Sequence, residues 1–469
     1  MIDVPMGVLS SCQRGVPRAF AVAICLAVGA PASAAPGLVD AWHASQALDP
    51  SYAAALAGQR AGAAKRREST ATFRPQLMLG AGASYATDDR ESTGARFSAP
   101  GFGTSDAADF RTRVAGGVGT TWSVDLRQPL YSAAKSATAR QLDREADRGD
   151  VELEAATQQS MLAVAHAYLE VLGAEAETAS LRAQRASIEE AAAAAHALYD
   201  EGRLPVTDAT EADARLAETD AALVVAENRL AERRATFSDR TGLSAEALRA
   251  PRDDPSAAPD PGALEDWLER ARHGAPSTRA RRVELDVART EVEKTAREWS
   301  PSVDLVARVA DDRLHGDSGW GTAGLATRSR VIGVQISVPL FTSGMTSARH
   351  DESVARAEAA EAEVRGAELE ATRRARAAWL ALHAAGSRLT AQRKLLDAAL
   401  ARVDATTLGH EVGARTTLDL LDARSQSDRA RLGLEEARLA IIGARLELAA
   451  AAGTLTEDEL RATDAMLLP

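Results

Sequence analysis

The sequence predicts a mixed α/β membrane protein with four transmembrane β-strands per protomer and a long coiled-coil shaft of helices. Three observations carry this prediction. Two long runs without proline show heptad spacing of apolar residues. Four segments alternate apolar and polar residues with a period of two. The whole pattern occurs twice, with corresponding residues about 211 positions apart, which indicates an internal duplication.

Composition narrows the class of protein. The 469 residues carry a net charge of −12, which argues against a general nucleic-acid surface. Aromatic residues make up only 4% of the chain, whereas alanine is abundant. A chain with few large side chains favours helices that pack closely through small residues.

Residues 1–34 are predicted to form a signal peptide. Arg14 and Arg18 precede an apolar segment at 19–29, and Ala32-Ser33-Ala34 is a cleavage site of the A-x-A type. A short buried helix is the alternative interpretation. No later segment reaches about 18 uncharged apolar residues, so we expect no transmembrane helix. An exported chain of this kind is periplasmic, secreted or a β-barrel.

The only two cysteines, Cys12 and Cys25, would be removed with the signal peptide. The mature chain would then have no disulfide and no cysteine metal site. The histidines are scattered without an H-x-x-x-H pair, and neither a glycine-rich phosphate loop nor a Gly-x-Ser-x-Gly motif follows a strand. We therefore expect no metal, no cofactor and no enzymatic activity.

The first repeat is predicted to span 35–250. Its strands show the clearest signal, because Leu77 and Leu79 alternate with Met78 and Gly80, as Trp122 and the apolar residues after it alternate with polar ones. The elements in order are a helix at 38–68, strands at about 74–86 and 118–130 with a loop at 88–117 between them, and a long helix hairpin at 132–243.

A proline-rich linker at 251–262 separates the two repeats. The second repeat spans 263–469 and shows the same order of patterns, with Pro339-Leu-Phe341 matching Pro129-Leu-Tyr131. Its predicted elements are a helix up to about 297, strands at about 301–310 and 330–341 with a loop at 311–329, a long helix hairpin at 344–453, and a short C-terminal tail.

The strands favour a membrane location over a half-buried soluble sheet. Their polar faces carry Asp125, Arg127, Asp304 and Arg308, which suits a water-filled barrel lumen. Ten of the 17 aromatic residues outside the signal peptide lie in or beside the strand regions, as expected for girdles at a membrane–water interface. Four strands cannot close a barrel, so we expect a homotrimer with twelve strands and a hollow helical shaft.

Each long helix hairpin contains a turn of the same design. Gly202 and Gly413 each precede an aspartate by six residues, and the second turn continues into Asp419 and Asp422. These two acids are spaced i and i+3, so they share one face of the helix that follows.

The chain resembles the TolC family of outer-membrane channel proteins over nearly the whole predicted mature sequence. The most specific segments are Val412-Gly-Ala-Arg-Thr-Thr-Leu-Asp-Leu-Leu-Asp-Ala423, Val338-Pro-Leu-Phe-Thr-Ser-Gly-Met345 and Gly453-Thr-Leu-Thr-Glu-Asp-Glu-Leu460. The resemblance implies a trimeric channel-tunnel in the cell outer membrane with an α-helical barrel across the periplasm. Its partners would be an inner-membrane transporter, most often of the ABC type, and a periplasmic adaptor protein.

By the same resemblance, Asp419 and Asp422 form acidic rings at the periplasmic entrance. Arg415 matches the gating arginine of the family, and Thr207 and Asp208 match its partners on the other hairpin. The alternative for Asp419 is a capping box with Thr416, which needs no pore.

His410 stands where the family commonly has a tyrosine of the gate network. If His410 joins the gate, closure would depend on pH near the histidine pKa. The alternative is a histidine on the surface with no role in closure.

The implied cargo is a haemolysin-like protein exported by type I secretion, and adenylate cyclase-haemolysin is one such cargo that the composition and the C-terminal segment suit. The same channel serving multidrug or metal efflux is the nearest alternative. A periplasmic coiled-coil scaffold without a pore, or a secreted fibrous adhesin, would belong to a different class. Neither the scaffold nor the adhesin explains why four alternating strands occur together with an acidic helical turn.

Overall fold

The computed structural model describes residues 36–203, 205–246, 248–251, 261–318 and 321–467. The predicted signal peptide and most of the predicted linker lie outside these residues. The described chain has two parts. One is a four-stranded antiparallel sheet, and the other is a set of long helices that continue from one end of the strands.

The helices occur in two groups, each interrupted by a pair of strands. Their bounds are α1 Leu38–Ser45, α2 Pro50–Ala71, α3 Ala133–Asp200, α4 Val206–Thr241, α5 Leu264–Gly274, α6 Pro276–Ala296, α7 Met345–Glu411, α8 Thr417–Ala451 and α9 Glu457–Asp464. α3 has 68 residues and α7 has 67, so each is about 100 Å long at ~1.5 Å per residue. No helix among the described residues is both long and apolar enough to cross a membrane.

Two predicted helices are each broken in two, which corrects the sequence interpretation. The helix predicted at 38–68 is divided into α1 and α2, and the one predicted before residue 297 is divided into α5 and α6. In both cases a proline stands at the first turn of the second helix, Pro50 in α2 and Pro276 in α6. Proline lacks the backbone N–H that would continue the preceding helix, and its fixed φ suits a new helix start.

The sheet consists of β1 Gln76–Ala99, β2 Gly103–Ser132, β3 Ser302–Asp317 and β4 Thr322–Ser337, in that spatial order. All three neighbouring pairs are antiparallel. The loops predicted at 88–117 and 311–329 were wrong, because the described residues of both stretches are mostly strand. The Gly, Ser, Asp and Thr residues that signal a loop are also compatible with an exposed strand, since β propensity depends strongly on context.

Register separates the sheet into an apolar face and a polar face. Leu79 pairs with Val124, Val124 with Val309, and Leu305 with Val334, so apolar residues of all four strands share one face. The opposite face is concave, because Arg90 on β1 donates to Thr327 on β4, 3.4 Å away, although two strands lie between them. The apolar face is therefore the convex one.

The main apolar core lies where α1 packs against the middle of α3 and the ends of α4 and α8. At its centre the fully buried Tyr168 meets Phe237 edge to face, with ring centroids 6.0 Å apart. The Tyr168 hydroxyl donates to the Pro36 carbonyl at 3.1 Å and accepts from the Arg249 backbone N–H at 2.8 Å. The Tyr168 hydroxyl thereby connects the segment before α1 with the segment after α4.

Candidate functional site

The two hairpin turns far from the sheet have the same backbone geometry. Gly202 and Gly413 both adopt positive φ, +72° and +74°, directly after the last residue of the helix and its cap. The Gly413 N–H donates to the His410 carbonyl and the Ala414 N–H to the Gly409 carbonyl, at 3.0 and 2.8 Å. These two bonds form a Schellman motif, and equivalent bonds occur at Gly202. The shared sequence pattern therefore produces a shared turn.

Asp419 lies in the first turn of α8 and caps it. Its Oδ2 accepts from the Thr416 backbone N–H at 3.0 Å, and its own N–H donates to Thr416 Oγ1 at 3.1 Å. Hydrogen bonds from Thr416 hold the Asp419 pKa below its ordinary value, and the nearby Arg415 adds to this effect. The capping box that the sequence allows is formed, and the carboxylate still remains exposed enough to face solvent.

Arg415 stays within its own hairpin. Its Nη1 is 4.0 Å from Asp419 Oδ1, and its aliphatic stem crosses Gly409, where a β-carbon would approach the Arg415 Cγ to 2.8 Å. Only a residue without a side chain at position 409 leaves room for this path. The predicted link from Arg415 to Thr207 and Asp208 is not formed within a single protomer, where Thr207 instead donates to Asp208 at 3.2 Å.

Asp208 nevertheless lies beside the second hairpin. It lines a cleft of about 110 Å³ together with Ala212 of α4 and Thr416, Thr417 and Leu421 of the second hairpin. The structure thus brings the acidic start of α4 and the capped start of α8 to the same end of the shaft.

Asp422 has a partner that sequence reasoning missed. Arg215, two turns into α4, places Nη2 3.5 Å from Asp422 Oδ1 on α8. Both side chains are nearly half exposed. The pair joins the two hairpins directly, and the only sequence signal for it is an arginine seven residues after Asp208, on the same helix face.

His410 lies across the turn from the start of α8. Its Nε2 is 3.3 Å from Thr417 Oγ1, so the ring joins the two helices of one hairpin. Among the described residues, His410 forms no hydrogen bond with the first hairpin.

Three further polar contacts connect α3 with α8 above the turn, and the sequence did not suggest them. Gln184 donates to Ser425 at 2.9 Å, and Arg424 donates to Ser187 at 3.1 Å. Ser180 donates to the Asp428 carbonyl at 3.4 Å. Together with the Arg215–Asp422 pair, these bonds connect the two hairpins near their tips.

The four charges predicted to line the barrel lumen are brought together on the concave face of the sheet. Arg127 Nη2 lies 2.5 Å from Asp304 Oδ2, and Arg308 Nε lies 3.6 Å from Asp125 Oδ1. The environments differ, because the Asp304 side chain is 3% exposed and the Asp125 side chain 41% exposed. The Asp304 carboxylate is therefore shielded from water, whereas Asp125 and both arginines remain exposed to solvent.

Across the described residues, no group of three or more His, Cys, Asp or Glu side chains is arranged to hold a metal ion. The histidines instead form separate contacts, such as His196 with Asp213 at 3.0 Å.

Known proteins share both the sequence pattern and the fold of this chain. The sequence profile of the family described as outer membrane efflux protein matches residues 42–242 and 267–454, well over half of the chain. The chain belongs to this family. The predicted resemblance to the TolC family is confirmed, as is the location in the outer membrane.

Relatives of this efflux-family channel cover most of its length. Outer membrane protein TolC of Vibrio cholerae is 27% identical over 352 residues, 73% of this chain and 79% of the relative. Proteases secretion protein PrtF of Dickeya chrysanthemi is 25% identical over 454 residues, 94% of both chains. The crystal structure of the outer membrane protein VceC from Vibrio cholerae matches with a TM-score of 0.68 at 19% identity, covering 89% of this chain and 96% of the other, which supports the fold.

Proposed function

We propose that three copies of this chain form a channel-tunnel through the outer membrane and the periplasm. The single observation that carries the proposal is the sheet, whose convex face is apolar and whose concave face holds charged pairs. Its outer strands β1 and β4 have free edges within the protomer. Free edges are not tolerated in lipid, and a closed ring of three sheets would pair all of them.

The two halves of the chain are proposed to be duplicated units, 35–250 and 263–469. The order of helices, two strands and a helix hairpin occurs in both halves. The identical Schellman turns at Gly202 and Gly413 support the same proposal. Each unit supplies two strands, so each protomer supplies four. Four strands are one third of the proposed twelve-stranded ring.

The hairpin tips are proposed to form the periplasmic entrance. Three copies of Asp419 and Asp422 would then surround the pore and attract cations. Arg415, which does not contact Asp208 of its own protomer, would pair with Asp208 of a neighbouring protomer. Opening would move the second hairpin relative to the first, which breaks the Arg215–Asp422 pair and the α3–α8 hydrogen bonds.

We propose secretion of an unfolded protein by a type I system as the transport role, with an ABC transporter and an adaptor as partners. The relative from Dickeya is named a proteases secretion protein and matches over 94% of both chains. A haemolysin-like protein is the proposed class of cargo. Multidrug or metal efflux is the second candidate, favoured by the description of the family as efflux proteins.

The test is single-channel recording of the purified protein in planar bilayers, with Asp419→Ala plus Asp422→Ala alongside. Unitary, cation-selective steps that lose selectivity in the double variant are expected. Absence of channels from folded protein would refute the pore. Channels whose selectivity is unchanged in the double variant would mean that Asp419 caps α8 and does not select ions. Two assays in cells that lack their own channel separate the transport roles. Export of a reporter protease measures secretion, and antibiotic susceptibility measures drug efflux.

A further inference from the structure

The sheet carries a projection that the proposed channel does not require. β1 and β2 continue to Ala99 and Gly103, whereas β3 stops at Asp317, opposite Gly116. The pairs from Asp88 with Val114 to Ala99 with Gly103 therefore extend beyond the other strands as a separate hairpin. At ~3.4 Å per residue this projecting hairpin is roughly 40 Å long. It lies at the end of the sheet opposite the helices, which is the outer side in the proposed channel.

The hairpin does not continue straight along the sheet. Its pairing is interrupted three times, between Ala86 and Asp88, Ser92 and Ala95, and Ala95 and Phe97. Register breaks of this kind bend a strand and increase its twist. At its base Arg90 reaches across the concave face to Thr327 on β4. The hairpin therefore begins on the concave side, over the proposed lumen.

Both strands of the hairpin carry charged side chains that pair across it, and its end is apolar. Arg111 donates to both oxygens of Asp89 at 2.9 and 2.7 Å, and Arg96 lies 2.9 Å from Asp106. Charged side chains on an edge discourage further strand pairing. Residues 88–113 contain five acids and four arginines, so copies of the hairpin repel one another little.

The tip is the exposed apolar part. Phe97 and Phe110 pack with tilted rings whose centroids are 5.0 Å apart, and beyond them Phe102 is 89% exposed on a turn between Gly101 and Gly103. An isolated two-stranded hairpin is marginally stable in water. Three partly or fully exposed phenylalanines clustered at its end form an apolar patch that favours contact with a partner surface.

We propose that the projecting hairpins of three protomers lean over the outer mouth of the channel and meet at their Phe102 tips, forming a lid. This inference rests on the proposed trimer. A barrel of twelve strands ~4.8 Å apart and tilted by ~40° has a radius of roughly 12 Å, so a hairpin of this length easily reaches the axis. The surface that each Phe102 tip contacts is therefore the same tip of a neighbouring protomer.

Cysteine cross-linking tests the contact. Because Cys12 and Cys25 lie in the predicted signal peptide, an introduced cysteine is unique in the mature chain. Phe102→Cys is expected to give disulfide-linked dimers on mild oxidation of intact cells, since a disulfide needs Cα atoms within about 7 Å. Thr322→Cys, on the rim at the start of β4, is the control and is expected to give none, because its copies would be held roughly 20 Å apart.

Labelling tests whether the contact obstructs the mouth. Gln335→Cys lies on the concave face opposite Asp304. A bulky maleimide added outside intact cells should label it slowly, and faster when residues 89–113 are replaced by an Asn-Gly turn.

The outcomes separate the lid from the channel. Purified trimers without Phe102→Cys dimers, and with equal labelling of both hairpin lengths, would overturn the lid and leave the channel intact; the tips would then be free for an external partner. Dimers with equal labelling would overturn obstruction and leave only the contact. Monomers in place of trimers in detergent would refute the proposed assembly itself.

Discussion

Arg215 on α4 and Asp422 on α8 lie 3.5 Å apart and form a charged contact between the two helix hairpins near their tips. One of the two acids proposed for the entrance is therefore partly neutralised inside its own protomer. Asp419 is different, since it is held by hydrogen bonds with Thr416, and the nearest arginine nitrogen of Arg415 is 4.0 Å away. The two acids should contribute unequally to ion selection.

Arg215→Gln is expected to increase the cation selectivity of the channel, because it frees the Asp422 carboxylate. The reversal potential in a salt gradient measures this change. The pair is half exposed, so its coupling to Asp422→Asn in a double-mutant cycle should be only about 0.2–1 kcal/mol. Arg229→Gln is the control, because Arg229 pairs with Glu177 inside the first hairpin. Equal shifts in both variants would contradict a specific role for Arg215.

Removal of the α8 cap should loosen the tip. Thr416→Ala is expected to cost about 1 kcal/mol in the first turn of α8, whereas Thr416→Ser keeps the hydroxyl that accepts from Asp419. Hydrogen exchange of the amides at 417–420 measures the difference. Because the Asp419 pKa is lowered in the folded chain, its contribution is present at neutral pH and is lost as the pH falls through that lowered pKa. Identical exchange in the two variants would argue against the cap.

Gly413 should be the least replaceable residue of the second turn. Gly413→Ala forces a β-carbon into the left-handed region and is expected to destabilise by about 1–2 kcal/mol. Gly386→Ala is the matched control, because Gly386 lies inside α7 with no atom near its missing β-carbon. There alanine should stabilise by about 0.5–1 kcal/mol. Thermal unfolding followed by circular dichroism gives both values, and changes of the same sign would contradict the turn geometry.

The two charged pairs of the sheet should differ in their importance for stability. Arg127→Gln leaves the buried Asp304 carboxylate without its charged partner and is expected to cost about 2 kcal/mol. Arg308→Gln removes a partner from the exposed Asp125 and should cost at most about 1 kcal/mol. Urea midpoints of the folded sheet in detergent, read from heat-modifiable gel mobility, provide the comparison. A larger effect at Arg308 would be inconsistent with the observed burial.

Asp428 should make stability depend on pH in the opposite sense to Asp419. Burial raises its pKa, and the opposing attraction of Arg431 and Arg424 does not fully compensate. A carboxyl whose pKa is raised on folding stabilises the fold at low pH, and this stabilisation is lost as the pH rises through the folded pKa. Asp428→Asn should therefore raise the melting temperature at neutral pH and have little effect at acid pH. A lower melting temperature at neutral pH would refute this account.

Periodicity predicted the long helices, the alternating strands and the repeated turn, because each is a local property of consecutive residues. Heptads place Leu389 and Leu434 in one apolar cluster between α7 and α8. The pleat places Asp125 and Arg308 opposite each other once the register is set. Boundaries were less predictable, since prolines divided two helices and most described residues of the polar stretches at 88–117 and 311–329 lie in strands.

The sequence by itself determined the long helices, the alternating segments of the four strands, the glycine turns at Gly202 and Gly413, and the cap between Thr416 and Asp419. All of these depend on residues a few positions apart, whose geometry the backbone fixes. Only the tertiary structure decided that Arg215 meets Asp422 and that Gln184 meets Ser425. Those contacts join residues more than 200 positions apart, and they depend on how two helix pairs rotate and slide against each other, which periodicity leaves undetermined.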